Sequence, residues 1–530
     1  MEHFRRRFLR CSEPLLKRYP RLRQFLRSLA LRYRRRALKH LSYKPLISIQ
    51  LAVFRVDTAE LQACLESVAK QIYPHWQLCI VEDGSGLAVV RDTLQAFKKR
   101  FPGKVKLVLR DDNQGITASS QEAFRLTDGD YVALLDHDDY LVPEALYEVV
   151  KLLNRHPETD WIYSDNDKLD SQGRHCCPHV KPDWSPELLL TYNYILHLSV
   201  IRRSLIERAG GFREGFEGSQ DHDLYLRLAE LTGQVRHIPR VLYSWRQSAD
   251  SVALNPANKH YAFDAALRAL NDALKRRGER GQAQHPAHSW LGSYQIIRHI
   301  ETPDIDVIVL EAEGETAPVL DKLTAQTRVN LTSVSWLEPD EGAGKCLNRL
   351  VKQCQSPYVL LLMPTIALTD TTLLLKLTAN LAPQGVALSS AKVINTYAEV
   401  DHCGLAYRRG VFCYPLRGWD KTADGMGAYG GLPRNISLSS AVINVCKTAQ
   451  LQPLLARLGS YETANAWLVA LALELQKQKL RLVVDGGLTV LYTPAAAYQV
   501  TLSASDKALL QRDYAHLFST DDPLYHRQML

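Results

Sequence analysis

The sequence predicts an α/β protein with two similar units in tandem, preceded by a basic helical arm. Three observations support this fold class. Apolar runs alternate with helical segments from residue 46 onward, the pattern of residues 115–131 recurs at 342–358, and the first 44 residues hold 15 Lys and Arg against two acids. Strands separated by helices favour a mainly parallel sheet in each unit.

The composition is that of an ordinary globular protein. Of 530 residues, 46% are hydrophobic and 23% charged, which argues against disorder and collagen-like structure. No apolar run approaches the roughly 18 residues that cross a bilayer, and no signal-peptide pattern follows the N-terminal arginines. The ten cysteines form no C-x-x-C pair, which predicts reduced thiols. We therefore expect a cytoplasmic protein.

Residues 1–45 form the predicted basic amphipathic arm. Apolar side chains such as Phe4, Phe8, Leu22 and Leu29 recur among its arginines at helical spacing. This pattern predicts an interfacial helix, so residues 1–44 would contact an anionic membrane peripherally at the inner face of the cytoplasmic membrane. An apolar stripe packed on the protein body is the alternative, and nucleic-acid binding is less favoured than either.

The first unit, residues 46–285, begins with alternating strands and helices. Its predicted strands are Leu46–Phe54, Gln77–Val81, Val105–Leu109 and Tyr131–Leu135. Ligands of open α/β sheets bind beyond the carboxyl ends of the strands. Asp83 follows the second strand in a Gly- and Ser-rich segment and could meet a nucleotide, or could simply form a turn.

Three carboxylates cluster after the fourth strand, in Asp136-His137-Asp138-Asp139. Like charges this close repel unless a cation lies between them, and oxygen ligands suit a hard divalent ion such as Mg²⁺ or Mn²⁺. The alternative is a plain turn. Asp139 is also expected to cap the helix that follows, which would leave Asp136 and Asp138 for the ion.

Six segments occur in an order that resembles glycosyltransferase family 2, the inverting nucleotide-sugar transferases of GT-A fold. The resemblance covers Leu46–Ser251. The segments are SVAKQIYPHWQLCIVEDGSG, GITASSQEAFRLTDGDYVALLDHDD, IYSDND, HVKPDWSPELL, GFEGSQDHDLYLR and VLYSWR.

The resemblance implies roles for particular residues. Asp83 would contact the nucleotide base, and Asp136 and Asp138 would be the D-x-D pair that holds a divalent metal, Mg²⁺ or Mn²⁺, with Asp136 also facing the nucleotide sugar. Arg246 and Ser251 lie where the family often contacts the diphosphate. For Arg246 a surface ion pair is the alternative.

The resemblance also implies that Asp221 is the catalytic base. Displacement at an anomeric carbon needs a carboxylate that accepts the proton of the acceptor hydroxyl, opposite the leaving diphosphate. The alternative is that Ser219 or Asp221 caps the helix that follows.

The second unit, residues 304–530, follows a linker at 286–303 and is predicted to be a degenerate GT-A-like domain. Residues Gly115–Tyr131 and Gly342–Tyr358 match at an offset of 227 residues. At this offset the acidic cluster becomes Met363-Pro364-Thr365-Ile366, which cannot hold a divalent ion.

The sequence therefore predicts an inverting, metal-dependent glycosyltransferase. It would move a sugar from a nucleotide-sugar donor to a glycan or lipid-linked glycan acceptor in bacterial surface polysaccharide biosynthesis, such as O-antigen or capsule. Two alternatives remain open: a non-catalytic sugar-binding scaffold of a glycan-assembly complex, and a metal-dependent nucleotidyltransferase. The latter would release pyrophosphate rather than a nucleoside diphosphate.

Overall fold

The computed structural model describes residues 20–247, 260–286, 292–310, 317–338, 342–423 and 430–525. These residues divide into two compact α/β units, so the predicted tandem α/β fold is confirmed. In the described chain, the first unit comprises 20–178, 196–224 and 231–247, and the second comprises 179–195, 225–230 and the residues from 260 onward. The boundaries of these units differ from the predicted 46–285 and 304–530, because the internal segments 179–195 and 225–230 and residues 260–285 belong to the second unit.

A basic helix, α1, spans Pro20–Ala37 and continues into a 3₁₀ turn at Leu38–His40. Its Arg34 is buried, with Nη1 2.9 Å from Glu144 Oε1 and Nε 3.2 Å from Glu148 Oε1. Leu31 and Leu38 pack against the core of the first unit. One face of the described part of the arm is therefore docked on the protein body, as the packed-stripe alternative predicts.

The first unit contains a nine-stranded mixed sheet. Its strands are β1 (Ile47–Val53), β2 (Trp76–Glu82), β3 (Val105–Leu109), β4 (Tyr131–Asp136), β5 (Tyr140–Leu141), β6 (Trp161–Leu169), β7 (His175–His179), β8 (Ser199–Arg202) and β9 (Val235–Arg246). The helices between Thr58 and Leu231 are α2 (Thr58–Ala69), α3 (Ala88–Arg100), α4 (Ile116–Arg125), α5 (Ala145–Leu153), α6 (Pro186–Leu189), α7 (Arg203–Arg208) and α8 (Gln220–Leu231).

The order of this sheet is β3-β2-β1-β4-β8-β6-β9-β5, with β7 beside β6. Strands β3, β2, β1 and β4 are parallel. Strand β8 is antiparallel to both β4 and β6, and β9 is parallel to β6. Strands β1, β2, β4, β6 and β9 therefore all end at the same edge, which is where ligands of such sheets bind.

The second unit contains its own nine-stranded sheet and a larger set of helices. Its strands, with the preceding hairpin β10–β11, are β10 (Gly281–Gln284), β11 (Gln295–Arg298), β12 (Asp304–Val309), β13 (Asn330–Trp336), β14 (Tyr358–Leu362), β15 (Ile366–Ala367), β16 (Val386–Ile394), β17 (Val400–His402), β18 (Ala406–Arg408), β19 (Val411–Cys413), β20 (Pro433–Ile436), β21 (Ile443–Lys447) and β22 (Arg481–Tyr492). Its helices are α9 (His260–Arg276), α10 (Ala317–Thr324), α11 (Ala343–Gln353), α12 (Leu373–Ala379), α13 (Thr448–Leu451), α14 (Leu455–Leu458), α15 (Ala464–Lys477), α16 (Ala504–Asp513) and α17 (Ala515–Ser519), with a 3₁₀ turn at Gln452–Leu454.

The two sheets share one topology. The second runs β13-β12-β14-β21-β16-β22-β15, which repeats β2-β1-β4-β8-β6-β9-β5 strand for strand and in the same parallel or antiparallel sense. The repeat seen in the sequence falls at matching places: Gly115 and Gly342 each precede a helix with φ of 90° and 75°, and Tyr131 and Tyr358 each begin the next strand.

Candidate active site

Asp83 follows β2 and organises the loop that comes after β3. Its carboxylate accepts hydrogen bonds from the Gln114 and Gly115 backbone N–H groups, at 3.0 and 2.8 Å, and from Arg110 Nη1 at 2.8 Å. The side chain is buried. Both oxygens are thus engaged by the protein itself, so the described contacts of Asp83 are those of a loop-holding residue at the predicted edge of the sheet.

The acidic cluster Asp136–Asp139, here called the acidic turn, lies at the end of β4. The Asp136 side chain is 52% exposed, Asp138 is half-buried and Asp139 is fully buried. Asp139 accepts hydrogen bonds from the Tyr243 hydroxyl and from the Arg246 backbone N–H. The expectation that Asp139 caps the next helix is wrong, because α5 begins at Ala145 with Glu144 in the N-cap position.

The end of β9 holds the acidic turn in place. The Tyr243 hydroxyl accepts a hydrogen bond from the Asp136 N–H at 3.2 Å, and Arg246 Nε donates to the Asp138 carbonyl at 2.8 Å. Arg246 Nε also lies 3.9 Å from Glu60 Oε1 of α2. The structure thus brings Arg246 next to the acidic turn that holds Asp136 and Asp138, and adds Glu60 to the group.

His197 joins this group although the sequence pointed to no role for it. Its Nε2 lies 3.5 Å from Asp136 Oδ2, and its ring stacks on Tyr243 with centroids 4.6 Å apart and an interplanar angle of 11°. His197 precedes β8 and belongs to none of the six family-like segments. Its proximity to the acidic turn arises from the antiparallel pairing of β8 with β4, which no local pattern predicts.

Burial shapes the charge state of the site. It raises the pKa of Asp138 above its ordinary value, and the negative charge of Asp136 raises this pKa further. Burial also raises the pKa of Glu60 and places that of Asp139 well above the usual range. Carboxylates that lose hydration beside one another are stabilised in their charged form by a cation.

The donor set fits a divalent metal ion. Among the described residues, one group of three has ligand atoms that all lie within 4.8 Å of one another, namely Asp136, Asp139 and His197. Asp139 already bonds with β9, whereas Asp136 is open to solvent and Asp138 is adjacent to it. The carboxylates match the oxygen ligands that Mg²⁺ and Mn²⁺ take, and the neighbouring imidazole is a ligand that suits transition metals.

Asp221 is the second residue of α8 and is half-buried. It therefore lies within the helix and does not cap it. Its Oδ1 accepts a hydrogen bond from the His222 N–H at 2.8 Å. Helix α8 leads through residues 232–234 into the start of β9. Ser251 lies outside the described residues.

Several known proteins are similar to parts of this chain. Residues 48–209 match the family described as Glycosyl transferase family 2. An uncharacterised protein y4gI of Sinorhizobium fredii is 42% identical over 240 residues, covering 45% of this chain and 26% of that protein. O-antigen biosynthesis protein RfbC of Myxococcus xanthus is 36% identical over 296 residues, covering 55% of this chain and 23% of RfbC.

Two solved structures are similar to parts of this chain. Staphylococcus aureus TarS 1–349 in complex with UDP-GlcNAc has 16% identity and a TM-score of 0.35, covering 43% of this chain and 66% of TarS. The mannosyltransferase PcManGT of Pyrobaculum calidifontis, in complex with GDP-Man and Mn²⁺, has 17% identity and a TM-score of 0.33, covering 47% and 70%.

The first unit therefore resembles a glycosyltransferase domain. Its residues 48–209, which match the family 2 model, run from β1 to the end of α7 and include the acidic turn and His197. This chain spans about a quarter of the length of the two curated relatives named above.

Proposed function

We propose that this protein is an inverting, metal-dependent glycosyltransferase that acts on a glycan acceptor in surface polysaccharide biosynthesis. One observation carries the proposal: the acidic turn lies at the carboxyl edge of a family 2 domain, fixed by Tyr243 and Arg246 and with Asp136 open to solvent. The second unit, with Met363 and Thr365 at the corresponding positions, serves a non-catalytic role.

The reaction assigns a task to each group. The acceptor hydroxyl oxygen forms a bond to the anomeric carbon, the bond from that carbon to the diphosphate oxygen breaks, and Asp221 accepts the hydroxyl proton. Asp136 and Asp138 would hold the divalent ion, Mg²⁺ or Mn²⁺, which neutralises charge on the departing nucleoside diphosphate. Arg246 and Ser251 would contact the same diphosphate.

The context of polysaccharide assembly rests on the similarity to an O-antigen biosynthesis protein. We assign a lipid-linked glycan as acceptor, since α1 offers a basic surface to an anionic membrane. Among the residues that the structure describes, no helix is long and apolar enough to cross a bilayer. Membrane contact of this protein would therefore be peripheral wherever the described helices provide it.

The proposal predicts that Asp221→Asn abolishes sugar transfer and leaves donor binding intact. Loss of a general base lowers the rate by about 10²–10⁴-fold, because the amide cannot accept the proton. Asp92→Asn, an exposed residue of α3, is the matched control. The measurement is release of nucleoside diphosphate from a panel of nucleotide sugars with Mn²⁺, alongside calorimetric donor binding.

Three results would contradict the proposal. Transfer at the wild-type rate in Asp221→Asn would show that Asp221 is not the catalytic base. Undiminished transfer in the presence of a strong chelator would show that the reaction needs no divalent metal. Release of pyrophosphate in place of a nucleoside diphosphate would identify a nucleotidyltransferase.

A further inference from the structure

We infer that His197 is a direct ligand of the divalent ion at the acidic turn, and that it gives the site a preference for Mn²⁺ over Mg²⁺. The inference rests on the proposed function and deepens it, since it concerns the metal of the same site. It goes beyond the D-x-D pair, which supplies only carboxylates.

The distance between the two ligand atoms suits one shared ion. His197 Nε2 and Asp136 Oδ2 are 3.5 Å apart. Nitrogen and oxygen ligands lie about 2.1 Å from a small divalent ion, so two ligands of one ion are separated by about 3 Å when adjacent and about 4.2 Å when opposite. A separation of 3.5 Å falls inside this interval and is longer than an ordinary direct hydrogen bond.

The imidazole is held in a fixed orientation. Its ring stacks on Tyr243 and meets Trp245 edge-on, with centroids 6.3 Å apart, and the side chain is 15% exposed. Tyr243 also bonds to Asp139 through its hydroxyl. A single residue of β9 therefore sets the positions of both the imidazole and the acidic turn, as residues behind metal ligands commonly do.

The remaining carboxylates divide into two roles. Both oxygens of Asp139 accept hydrogen bonds, one from Tyr243 and one from the Arg246 backbone, so we assign Asp139 to positioning. Asp136 is the oxygen ligand beside His197, and we assign Asp138 as the second because it is half-buried next to Asp136 and Arg246 Nε holds its backbone carbonyl. The ligand set is thus two carboxylates and one imidazole.

A nitrogen ligand changes which ion is preferred. Mg²⁺ favours oxygen donors and keeps several waters, whereas imidazole suits transition metals. Mn²⁺ accepts carboxylate and imidazole ligands together, so His197 should add to the affinity for Mn²⁺ and little to that for Mg²⁺.

The test is electron paramagnetic resonance of Mn²⁺ bound to the full chain. Pulsed measurements report modulation from a directly coordinated ¹⁴N nucleus, and we expect this signal in the wild type and its loss in His197→Gln. Titration of free Mn²⁺ should show affinity at least about 10-fold weaker in the variant. Competition with Mg²⁺ should show a much smaller change in Mg²⁺ affinity.

A matched control is His156→Gln. His156 Nδ1 lies 3.5 Å from Glu158 Oε1, the same separation as in the His197–Asp136 pair, but on the exposed surface. This variant should keep both the nitrogen signal and the wild-type affinity for Mn²⁺.

Wild-type protein that binds Mn²⁺ without nitrogen modulation would overturn the inference, and so would unchanged Mn²⁺ affinity in a folded His197→Gln. The wild-type spectrum decides the matter even if the variant fails to fold. Sugar transfer with bound Mn²⁺ but no nitrogen signal would remove His197 as a ligand and leave the proposed function standing. A nitrogen signal in a chain that transfers no sugar would support His197 as a metal ligand and contradict the proposed function.

Discussion

At the scale of single residues, Gly84 shows how the backbone shapes the loop that follows β2 at the carboxyl edge of the sheet. It follows Asp83 with φ of +64°, and a Cβ atom at this position would lie 2.7 Å from the Asn113 backbone nitrogen and clash with Asp112. In the same loop, the backbone N–H groups of Gln114 and Gly115 donate hydrogen bonds to the Asp83 carboxylate. Gly84 thus permits the close approach that the Asp83 hydrogen bonds then fix.

We predict that Gly84→Ala destabilises the protein more than Gly86→Ala. Gly86 has a similar φ of +72° but open space around its Cβ position, so alanine there incurs only the left-handed backbone strain of about 1–2 kcal/mol. Alanine at 84 adds a steric conflict worth about 1–3 kcal/mol. Chemical denaturation of both variants measures the difference in the free energy of unfolding. Equal values would show that the loop at Asp112 and Asn113 moves to accommodate the added methyl group without cost.

At the scale of elements, α1 presents two different faces. Arg34 is bound to Glu144 and Glu148 on the body of the first unit. The opposite face exposes Arg32, Tyr33, Arg35 and Arg36, with Tyr33 66% exposed. Because one face is docked on the protein, the arginines of the exposed face all point to solvent on the same side of α1. Each Lys or Arg near an anionic leaflet contributes about 1 kcal/mol to membrane binding.

The exposed face leads to a prediction for membrane binding. The double variant Arg35→Ser/Arg36→Ser should bind vesicles containing phosphatidylglycerol about 30-fold more weakly, which corresponds to about 2 kcal/mol. Flotation of the full chain with these vesicles is the measurement. Lys98→Ser/Lys99→Ser removes the same charge from exposed positions of α3 and should float like the wild type. Equal flotation of the two double variants would exclude α1 as the contact surface.

Element by element, the sequence patterns locate the parallel half of the first sheet well. The predicted strand Tyr131–Leu135 is observed as Tyr131–Asp136, and the predicted helix Ile116–Leu126 as Ile116–Arg125. These segments carry a clear period of apolar residues, and glycine marks the start of the helix. Asp136 and Asp138 were predicted in the same way, from the strand that leads into them, whereas Arg246 was implied by the family resemblance.

Non-local pairing accounts for what the sequence could not predict. Residues 179–195 belong to the second unit because Ser185 Oγ lies 2.9 Å from Asn435 Oδ1 and Glu187 pairs with Arg481. These partners are 250 and 294 residues apart in the chain, so no window of sequence displays them. His197 was missed for the same reason, since its role depends on where β8 enters the sheet.

At the scale of the whole molecule, the repeated topology allows the two units to be compared position by position. Asn465 is the second residue of α15, as Asp221 is of α8, and each helix precedes the long strand β22 or β9. Tyr498, which is buried, donates its hydroxyl proton to Asn465 Oδ1 and accepts a hydrogen bond from the Ala441 N–H at 3.0 Å. In the second unit, an amide that is hydrogen-bonded to a tyrosine therefore stands at the position that corresponds to Asp221.

This arrangement predicts that the full chain binds one nucleoside diphosphate. Met363 and Thr365 offer no carboxylate in place of Asp136 and Asp138, and the amide of Asn465 is engaged by Tyr498. Titration calorimetry with UDP and GDP in the presence of Mn²⁺ should give a stoichiometry near one for the nucleotide that binds, and Asp138→Asn should abolish the binding. Glu462→Gln, beside the start of α15, should change nothing. A stoichiometry of two, or a site that survives Asp138→Asn, would mean that the second unit also holds a donor.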